Sequence, residues 1–304
     1  MHNDQRIAYP FQFNDNTNPT MQVFDSIKSF QNAVADLRSK GKSLGFVPTM
    51  GALHKGHLSL VALAAKENDA VAVSIFVNPT QFNNPDDLKN YPRTLEADLE
   101  LLKEFKPDFV FAPIVDEIYP KAGLQEVKVD LGFLERTMEG KHRPGHFKGV
   151  VQVVARLFEI VKPDAAYFGA KDFQQLAVIR EMTKQMDLGI QIRTGVTIRD
   201  DDGLAMSSRN ILLSPEQRLD AAKISKALFY IRDNWKHGSI EDLCAEAINR
   251  IESRGLMKVE YLEAADSLSL EPIFDWAQSD QPRVLTAVKV GKVRLIDNIG
   301  IVKE

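Results

Sequence analysis

The chain of 304 residues has 44% hydrophobic and 26% charged residues, which is the balance of a globular protein and not of a disordered or membrane-embedded one. Its length supplies enough apolar residues for one large domain or two ordinary ones. A formal net charge of −4 argues against broad affinity for nucleic acid, but a local basic patch can still bind an anionic metabolite.

The first twenty residues, 1–20, are polar and rich in asparagine, and Pro10 and Pro19 interrupt any periodic pattern. They predict a polar N-terminal arm outside the core, without the charged-then-apolar start of an export signal. We therefore expect a cytoplasmic protein. The single cysteine, Cys244, rules out an internal disulfide, and its place in a helical run favours a packed thiol.

Strand-like and helix-like patterns alternate over residues 21–198. Helices are expected from Ile27 to Gly41, from near Gly56, from Leu95 to Phe105, from Gly149 to Val161 and from Phe173 to Met186. Buried strands are expected at Leu44 to Val47, Ala70 to Val77, Phe109 to Phe111, Ala165 to Gly169 and Ile190 to Ile198, and Val127 to Leu131 fits an edge strand. This alternation predicts an α/β fold, a Rossmann-like mostly parallel sheet with right-handed crossovers that binds a nucleotide.

The pattern changes at Arg199, where Asp200 to Gly203 forms a turn signal, and we place a domain boundary there. Two amphipathic helices are expected at Pro215 to Trp235 and Ile240 to Arg254. Strands are expected at Lys258 to Ala264, Arg283 to Val290 and Val293 to Ile296. Residues 199–304 therefore predict a second, smaller α+β domain that closes over a cleft shared with the first.

The stretch Pro48 to His57, PTMGALHKGH, joins the first predicted strand to an amphipathic helix. Such a junction binds phosphates in α/β proteins, because the first helical turn has unpaired N–H groups and glycines allow close approach. His54 and His57 would stand beside the anion. The spacing also fits two histidines held by ordinary hydrogen bonds, or two zinc ligands, although one cysteine and four other scattered histidines supply no dependable further ligands.

Three further polar clusters follow strand ends or the domain junction: Asn78 with Gln81, Lys171 with Asp172 and Gln175, and Ser207 to Arg209. Crossover helices can bring them to the same switch point of the sheet as the two histidines. Together they offer the cations and hydrogen-bond donors that a nucleotide transfer needs. Each also has a structural interpretation, as a surface lysine, a helix cap, a glutamine that ties down a loop, or a serine-capped loop.

Two charged stretches are assigned no ligand. The basic loop Lys141 to Lys148 is short and lacks interleaved aromatic residues beyond Phe147, so we expect no nucleic acid there. The acidic turn Asp200 to Asp202 is interpreted as solvated, and we expect no protein-held metal. Any Mg²⁺ would arrive with nucleotide phosphates.

Six segments carry a resemblance to a known family. They are PTMGALHKGH (48–57), FVNPTQF (76–82), YPRT (91–94), RPGHF (143–147), FGAKDFQQL (168–176) and DGLAMSSRN (202–210). With these segments in this order, the chain from about Met21 onward resembles the pantothenate synthetase (pantoate–β-alanine ligase) family of the nucleotidyltransferase superfamily. The resemblance implies a ligase in which ATP converts pantoate to pantoyl adenylate and β-alanine then displaces AMP, giving pantothenate, AMP and pyrophosphate. It further implies Mg²⁺ accompanying ATP and a homodimer.

The resemblance also implies site residues. Catalytic roles fall to His54, His57, Lys171, Ser207, Ser208 and Arg209, with His57 matching the residue usually assigned as proton donor. The residues implied to contact ATP are Met50, Gly51, Ala52, Leu53, His54, Lys55, Gly56, His57, Gly169, Ala170, Lys171, Asp172, Ile198, Met206, Ser207, Ser208 and Arg209. For pantoate and β-alanine it implies Gln81 and Gln175, with Asn78 and Pro48 beside them, and Tyr91 and Arg143 in supporting roles.

One position departs from the family pattern. Ala170 stands where the family usually has glutamate, so a side-chain role there is lost and only a backbone contact would survive. Two other functions stay open from the residues. A related adenylyltransferase would transfer AMP to a phosphorylated cofactor precursor, and a nucleotide-binding protein would bind ATP without turnover.

Overall fold

Six parallel strands form the larger sheet of the computed structural model, which describes residues 21–120 and 123–303, so the predicted arm 1–20 lies outside the described residues. The strands are β1 (Gln22–Phe24), β2 (Leu44–Thr49), β3 (Ala70–Ile75), β4 (Phe109–Phe111), β5 (Ala165–Gly169) and β6 (Gln191–Gly195). Their order is β1-β4-β3-β2-β5-β6. The chain runs outward in opposite directions on the two sides of β2, so the switch point lies between β2 and β5.

The helices that flank this sheet are α1 (Ile27–Ser39), α2 (Lys55–Glu67), α3 (Pro85–Asn90), α4 (Leu95–Phe105), α5 (Val115–Ile118), α6 (Met138–His142), α7 (His146–Val161) and α8 (Phe173–Gln185). Both faces of the central strands are covered: β2 and β3 are buried along nearly their whole length. That burial explains why their sequences are continuously apolar and do not alternate.

The C-terminal part is a three-stranded antiparallel sheet with two helices. Its elements are α9 (Pro215–Asn234), α10 (Ile240–Glu252), β7 (Met257–Asp266), β8 (Pro282–Val290) and β9 (Val293–Gly300). Helix α9 begins with a capping box, in which the side chains of Ser214 and Gln217 each bond the other's backbone N–H. The prediction of a Rossmann-like sheet followed by a smaller α+β part is therefore confirmed.

The two parts share buried side chains. Tyr261 and Leu285 of the small sheet belong to the same hydrophobic cluster as Phe147 and Leu176 of the larger part. A second cluster lies within the C-terminal part, and Cys244 packs against it; burial raises the pKa of this thiol to about 11. The shared cluster contains residues from both sides of Arg199. The predicted domain boundary at Arg199 stays a prediction.

Three local expectations differ from the structure. The edge strand expected at Val127 to Leu131 is wrong: this segment is irregular, and the Val127 N–H donates to the Gln152 side chain instead of to a strand. Strand β1 was not expected from the sequence, because a three-residue run containing glutamine has no periodicity, yet it pairs with β4. Strand β6 ends at Gly195, before the expected Ile198. Among the described residues, no helix is long and apolar enough to cross a membrane.

Candidate active site

A cleft of about 210 Å³ opens where β2, β3, β5 and β6 end, and helix α7 and the 206–209 loop also form walls of it. All four clusters singled out in the sequence contribute to it: His54, His57, Asn78, Gln81, Lys171, Asp172, Gln175, Ser207, Ser208 and Arg209. Pro48, Met50, Gly56, Gly169, Ile198 and Met206 also line it. In the described chain, Gly51, Ala52, Leu53, Lys55 and Ala170 are not among its lining residues, so any part they take would use their backbone.

The two histidines cap helix α2. Nδ1 of His54 accepts a hydrogen bond from the Gly56 N–H at 3.1 Å, and Nδ1 of His57 accepts one from the His54 N–H at 3.3 Å. The first turn is therefore less open than expected, because the Gly56 N–H already has a partner. A ring nitrogen that accepts a hydrogen bond is unprotonated in neutral imidazole, so the proton of each ring sits on Nε2.

Both imidazoles are neutral at physiological pH. Burial is the main cause that lowers the pKa of His54 to about 4, and the Lys171 cation adds to it. Burial also lowers the pKa of His57 to about 3, with His54 and Lys171 as further causes. The rings stand 4.1 Å apart between centroids. The pair can therefore donate two neutral N–H groups to an anion, and it carries no positive charge of its own.

Gln81 is oriented by Asn78. Nδ2 of Asn78 donates to Oε1 of Gln81 at 3.1 Å and to the Gly149 carbonyl at 3.2 Å, and its Oδ1 accepts from the Tyr119 hydroxyl at 2.8 Å. Asn78 is 1% exposed and its amide is fully used by the protein. Gly149 permits this packing, because a Cβ there would lie 2.4 Å from the Thr80 carbonyl oxygen. Asn78 thus positions the Gln81 amide at the wall of the cleft, where Gln81 Nε2 donates to the Met50 sulfur at 3.0 Å.

The neighbouring glutamines on α8 have different surroundings. Gln174 is 2% exposed; its Oε1 accepts from the Glu139 N–H at 2.9 Å and its Nε2 donates to the carbonyls of Leu134 and Thr137. Gln175 lines the cleft, and its amide has no hydrogen-bond partner among the residues that the structure describes. The structural interpretation thus fits Gln174, whereas the amide of Gln175 is available to a ligand.

This contrast gives a matched pair of variants. If pantoate lies against Gln175, as the resemblance implies, Gln175→Ala should raise the KM for pantoate about tenfold or more, since a lost hydrogen bond to a charged group is worth about 1.5–3 kcal/mol. Gln174→Ala should lower stability by about 1–3 kcal/mol and leave that KM within about twofold, because it removes only partners of buried backbone groups. Steady-state kinetics and thermal unfolding of both variants separate the two effects. Equal KM values would contradict the assignment.

His146 and Arg143 hold the backbone of Gln81. Nδ1–H of His146 donates to the Gln81 carbonyl at 2.8 Å, and Arg143 donates to Nε2 of His146 at 3.1 Å. Arg143 also approaches the same carbonyl at 3.4 Å. Burial and the adjacent guanidinium lower the pKa of His146 to about 4. Both residues belong to the basic loop, so two of its basic side chains point inward at the site.

Acid should destabilise the protein partly through His146. The unfolded chain regains a pKa near 6.5, so as the pH falls from that value to about 4 the unfolded state binds a proton that the folded state refuses, and stability is lost. The shift corresponds to on the order of 3 kcal/mol. Urea unfolding at pH 7 and at pH 4.5 should show a smaller acid loss for His146→Asn. His237→Asn, at an exposed position, should keep the wild-type loss; identical losses in both variants would refute this origin.

Lys171 lies in the turn Ala170–Asp172 between β5 and α8. Its side chain is 17% exposed, and its Nζ is 3.9 Å from the Asp172 carboxylate. The turn is held from the other sheet, because Nδ2 of Asn298 donates to the carbonyls of Ala170 at 3.0 Å and Lys171 at 2.8 Å. Ala170 thus keeps a backbone contact despite its missing carboxylate. The turn leaves the Lys171 ammonium at the cleft, where it can meet an anion.

The 206–209 loop contacts both sides of the cleft. The Ser208 hydroxyl donates to the Ala52 carbonyl at 2.9 Å, and Ser207 Oγ accepts from the Arg209 N–H. The Arg209 guanidinium forms a two-pronged pair with Asp87 of α3, at 3.1 and 2.9 Å, and lies over the Tyr91 ring. In this state Arg209 is therefore engaged by Asp87, and a phosphate would compete with that carboxylate.

Sequence reasoning missed several residues that shape the site: Asp87, Asp98, Glu139, His146 and Asn298. Asp87 and Asp98 look like ordinary first-turn acids of helices, whereas the RPGHF segment that contains His146 was a signal that could have found that residue. Only the fold brings them into contact with the residues that line the cleft or with the backbone beside them. Within residues 21–120 and 123–303, no group of three or more His, Cys, Asp or Glu side chains could hold a metal ion.

Comparison with known proteins shows which family the chain is similar to. A family model described as pantoate-beta-alanine ligase matches residues 22–300. The pantothenate synthetases of Azobacteroides pseudotrichonymphae genomovar. CFP2 and Phocaeicola vulgatus are 49% and 48% identical over 280 residues, covering 92% of this chain and 99% of each relative.

Two solved structures show the same architecture. The pantothenate synthetase of Thermus thermophilus matches with a TM-score of 0.87 at 39% identity, covering 93% of this chain and all of that one. A pantoate-beta-alanine ligase from Francisella tularensis, solved with beta-gamma ATP and beta-alanine, matches with a TM-score of 0.78 at 38% identity, covering 92% and 97% of the two chains.

Proposed function

The chain belongs to the pantoate–β-alanine ligase family, and from this premise we propose how its own residues carry out the ATP-dependent condensation of pantoate with β-alanine. The membership confirms the resemblance that the six sequence segments indicated. The enzyme is a ligase that forms pantothenate, with ATP as the activating substrate. One observation supports the assignment of residues most: four separate segments place their neutral, cationic and amide donors around one cleft at the switch point.

In the first step, a carboxylate oxygen of pantoate attacks the α-phosphorus of ATP. The bond from that phosphorus to the oxygen bridging the α- and β-phosphates breaks, and pyrophosphate leaves with the electron pair. Pantoate's carboxylate is already ionised at neutral pH, so the step needs alignment and stabilisation of negative charge more than a base. The cleft offers donors of this kind in the Nε2–H groups of His54 and His57 and in the Lys171 ammonium.

We assign the nucleotide to the side of the cleft formed by the Pro48–His57 stretch, the Gly169–Asp172 turn and the 206–209 loop. Neutral N–H donors suit this task because they stabilise growing negative charge and undergo no change of protonation at neutral pH. Arg209 would leave Asp87 to meet a phosphate, with Ser207 and Ser208 closing beside it. Pantoate would lie against Gln81 and Gln175, whose amides face the cleft.

In the second step, the β-alanine amine attacks the carbonyl carbon of pantoyl adenylate. The carbon–oxygen bond to the phosphate breaks, AMP leaves with the electron pair, and the nitrogen loses a proton to water. Gln81 and Gln175 remain in place through this step, because they hold the pantoyl group and not the nucleotide. The same residues thus serve both half-reactions.

Mg²⁺ is proposed to enter with ATP. The carboxylates near the phosphate side are sparse: Asp172 lines the cleft, and Asp87 is bound to Arg209. These donors fit a cation that keeps most of its oxygen ligands from phosphates and water, as Mg²⁺ does. When bound, the ion neutralises phosphate charge, and the protein's own donors act on the remaining oxygens.

The function is tested by product analysis. Purified protein with ATP, Mg²⁺, pantoate and β-alanine should release AMP, pyrophosphate and pantothenate, and AMP release should depend on β-alanine. Mass spectrometry of the product distinguishes the ligase from an adenylyltransferase, whose product would keep the adenylyl group. ATP binding without pyrophosphate release would instead identify a binding protein.

We also propose a cytoplasmic homodimer. The globular balance of 44% hydrophobic and 26% charged residues supports this location. The family resemblance supports the dimer, and exposed apolar side chains lie near the β1 edge of the larger sheet, at Val23, Ile114 and Val115. Sedimentation equilibrium of the full chain tests the proposed dimer. A molecular mass in solution of about 34 kDa, that of a monomer, would refute the dimer.

A further inference from the structure

The Pro48–His57 stretch contains a backbone conformation that its own sequence does not favour. Gly51 has φ +78°, and Ala52 follows with φ +49°. Glycine adopts such angles freely, but alanine in the left-handed region costs roughly 1–2 kcal/mol because its Cβ crowds the following carbonyl. Something outside the stretch must therefore hold Ala52 in place.

The group that holds it is the carboxylate of Asp98, from the first turns of α4. Its Oδ2 accepts the Ala52 N–H at 2.9 Å, and its Oδ1 accepts the Leu53 N–H at 2.7 Å. The carboxylate fits tightly against the stretch, because a Cβ at Gly51 would lie 3.0 Å from Oδ2. Two consecutive N–H groups are thus fixed by one side chain immediately before His54.

Asp98 has no other evident task. The residue is 1% exposed, and within the described chain its carboxylate pairs with no Lys, Arg or His. Among the described residues, the carboxylate has one further partner, the Thr94 hydroxyl at 3.3 Å. A buried, unpaired carboxylate is costly unless N–H and O–H donors surround it. Two of the three donors that surround the Asp98 carboxylate are N–H groups of the Pro48–His57 stretch itself.

The contact continues to the opposite wall of the cleft. Ala52 donates its N–H to Asp98, and its carbonyl accepts a hydrogen bond from the Ser208 hydroxyl at 2.9 Å. Through Ala52, Asp98 therefore fixes both the backbone just before His54 and the carbonyl to which the 206–209 loop is bonded. Neither Asp98 nor α4 lines the cleft, so this carboxylate acts through other residues.

We propose that Asp98 is a positioning residue for adenylation: its carboxylate holds the 51–53 backbone in the conformation that aims His54, His57 and Ser208 at the nucleotide. A carboxylate is required because both of its oxygens accept hydrogen bonds, whereas an asparagine would turn an NH₂ group toward one of the two N–H donors. This inference rests on the proposed function, since it assigns ATP to that wall of the cleft.

The chain provides a matched control in Asp108. Its Oδ2 also accepts a backbone N–H, that of Val71 at 2.8 Å, but at the opposite end of β3 from the cleft. Asp98→Asn and Asp108→Asn therefore each remove a carboxylate that bonds the backbone of the same sheet region. Only the first changes the stretch beside the nucleotide.

The experiment compares wild type and both variants by thermal unfolding and by pyrophosphate release with ATP and pantoate varied in turn. Both variants should unfold at a lower temperature. Asp98→Asn alone should lose about 10- to 100-fold in kcat/KM for ATP, as expected for donors displaced by a fraction of an ångström, while its KM for pantoate changes by less than about threefold. An equal loss in Asp108→Asn, or unchanged ATP kinetics in Asp98→Asn, would overturn the proposal.

If Asp98→Asn does not fold, the kinetics of Thr94→Val test the proposal instead. This variant keeps the carboxylate but removes one of its donors, and it should lower kcat/KM for ATP by about twofold to fivefold in the folded enzyme. Unchanged kinetics in Thr94→Val would then count against Asp98. Wild-type protein without pyrophosphate release would refute the proposed function itself, which is a different outcome from an active wild type with an active Asp98→Asn.

Discussion

His57→Ala is expected to lower kcat for pyrophosphate release by about 10²-fold or more while the protein stays folded. Removal of one oriented donor to a developing oxyanion costs about 10²–10³ in rate in enzymes where it has been tested. His57 qualifies because its Nδ1 is occupied by the His54 N–H, which leaves Nε2–H as the group that faces the cleft. The lost cap costs only about 1 kcal/mol of stability.

The measurement is single-turnover adenylation of wild type, His57→Ala and the control His237→Ala, an exposed histidine outside the cleft. The wild-type rate should also show no inflection from His57 between pH 5 and pH 8, since burial lowers the pKa of His57 to about 3 and the ring stays neutral throughout that range. A folded His57→Ala enzyme with the wild-type rate would remove this residue from the chemistry.

Lys171→Gln is expected to lower kcat/KM for ATP by about 10²-fold or more. The ammonium reaches the cleft on a turn fixed by Asn298, and its nearest carboxylate lies 3.9 Å away, so much of its charge is available to a phosphate. A charge-assisted bond in a partly buried site is worth more than an exposed ion pair. Lys171→Arg, which keeps the charge, should retain more activity than Lys171→Gln.

A second readout distinguishes this role from a structural one. Burial is the largest cause of the lowered pKa of His54 and the Lys171 cation is the next, so in Lys171→Gln the pKa of His54 should rise part of the way from about 4 to its ordinary value. NMR titration of the His54 ring measures the change. Lys184→Gln, near the end of α8, is the control and should alter neither kinetics nor this titration. An unmoved His54 pKa in Lys171→Gln would show that the ammonium does not face the histidines.

The parallel sheet could be predicted from sequence because β2 and β3 are buried on both faces and read as unbroken apolar runs. The four polar clusters could be placed together because strand ends in such a sheet share one edge. Strand β1 could not be predicted, since its three residues carry no periodic signal and owe their extended conformation to pairing with β4. Segment 127–131 was wrongly predicted as a strand, because its apolar residues pack on the core without pairing with a strand.

Within the site, the roles of similar side chains could be told apart only from the structure. Gln174 and Gln175 are indistinguishable in sequence, and their different burial on α8 decides which one is free. Asp98 resembles any acid in the first turn of a helix, because its partners Ala52 and Leu53 are more than forty residues away along the chain. The neutrality of the histidines likewise depends on burial, which no spacing reveals.

The bond from Asn298 to the Lys171 turn has a consequence for biosynthesis. Asn298 lies in β9, the last strand of the described chain, so the ribosome makes it after every other part of the cleft. A nascent chain whose parallel sheet has already folded still lacks the group that fixes the phosphate-facing lysine. Competence for catalysis therefore depends on a strand outside the parallel sheet, and loss of β9 would remove the bonds that hold the lysine turn.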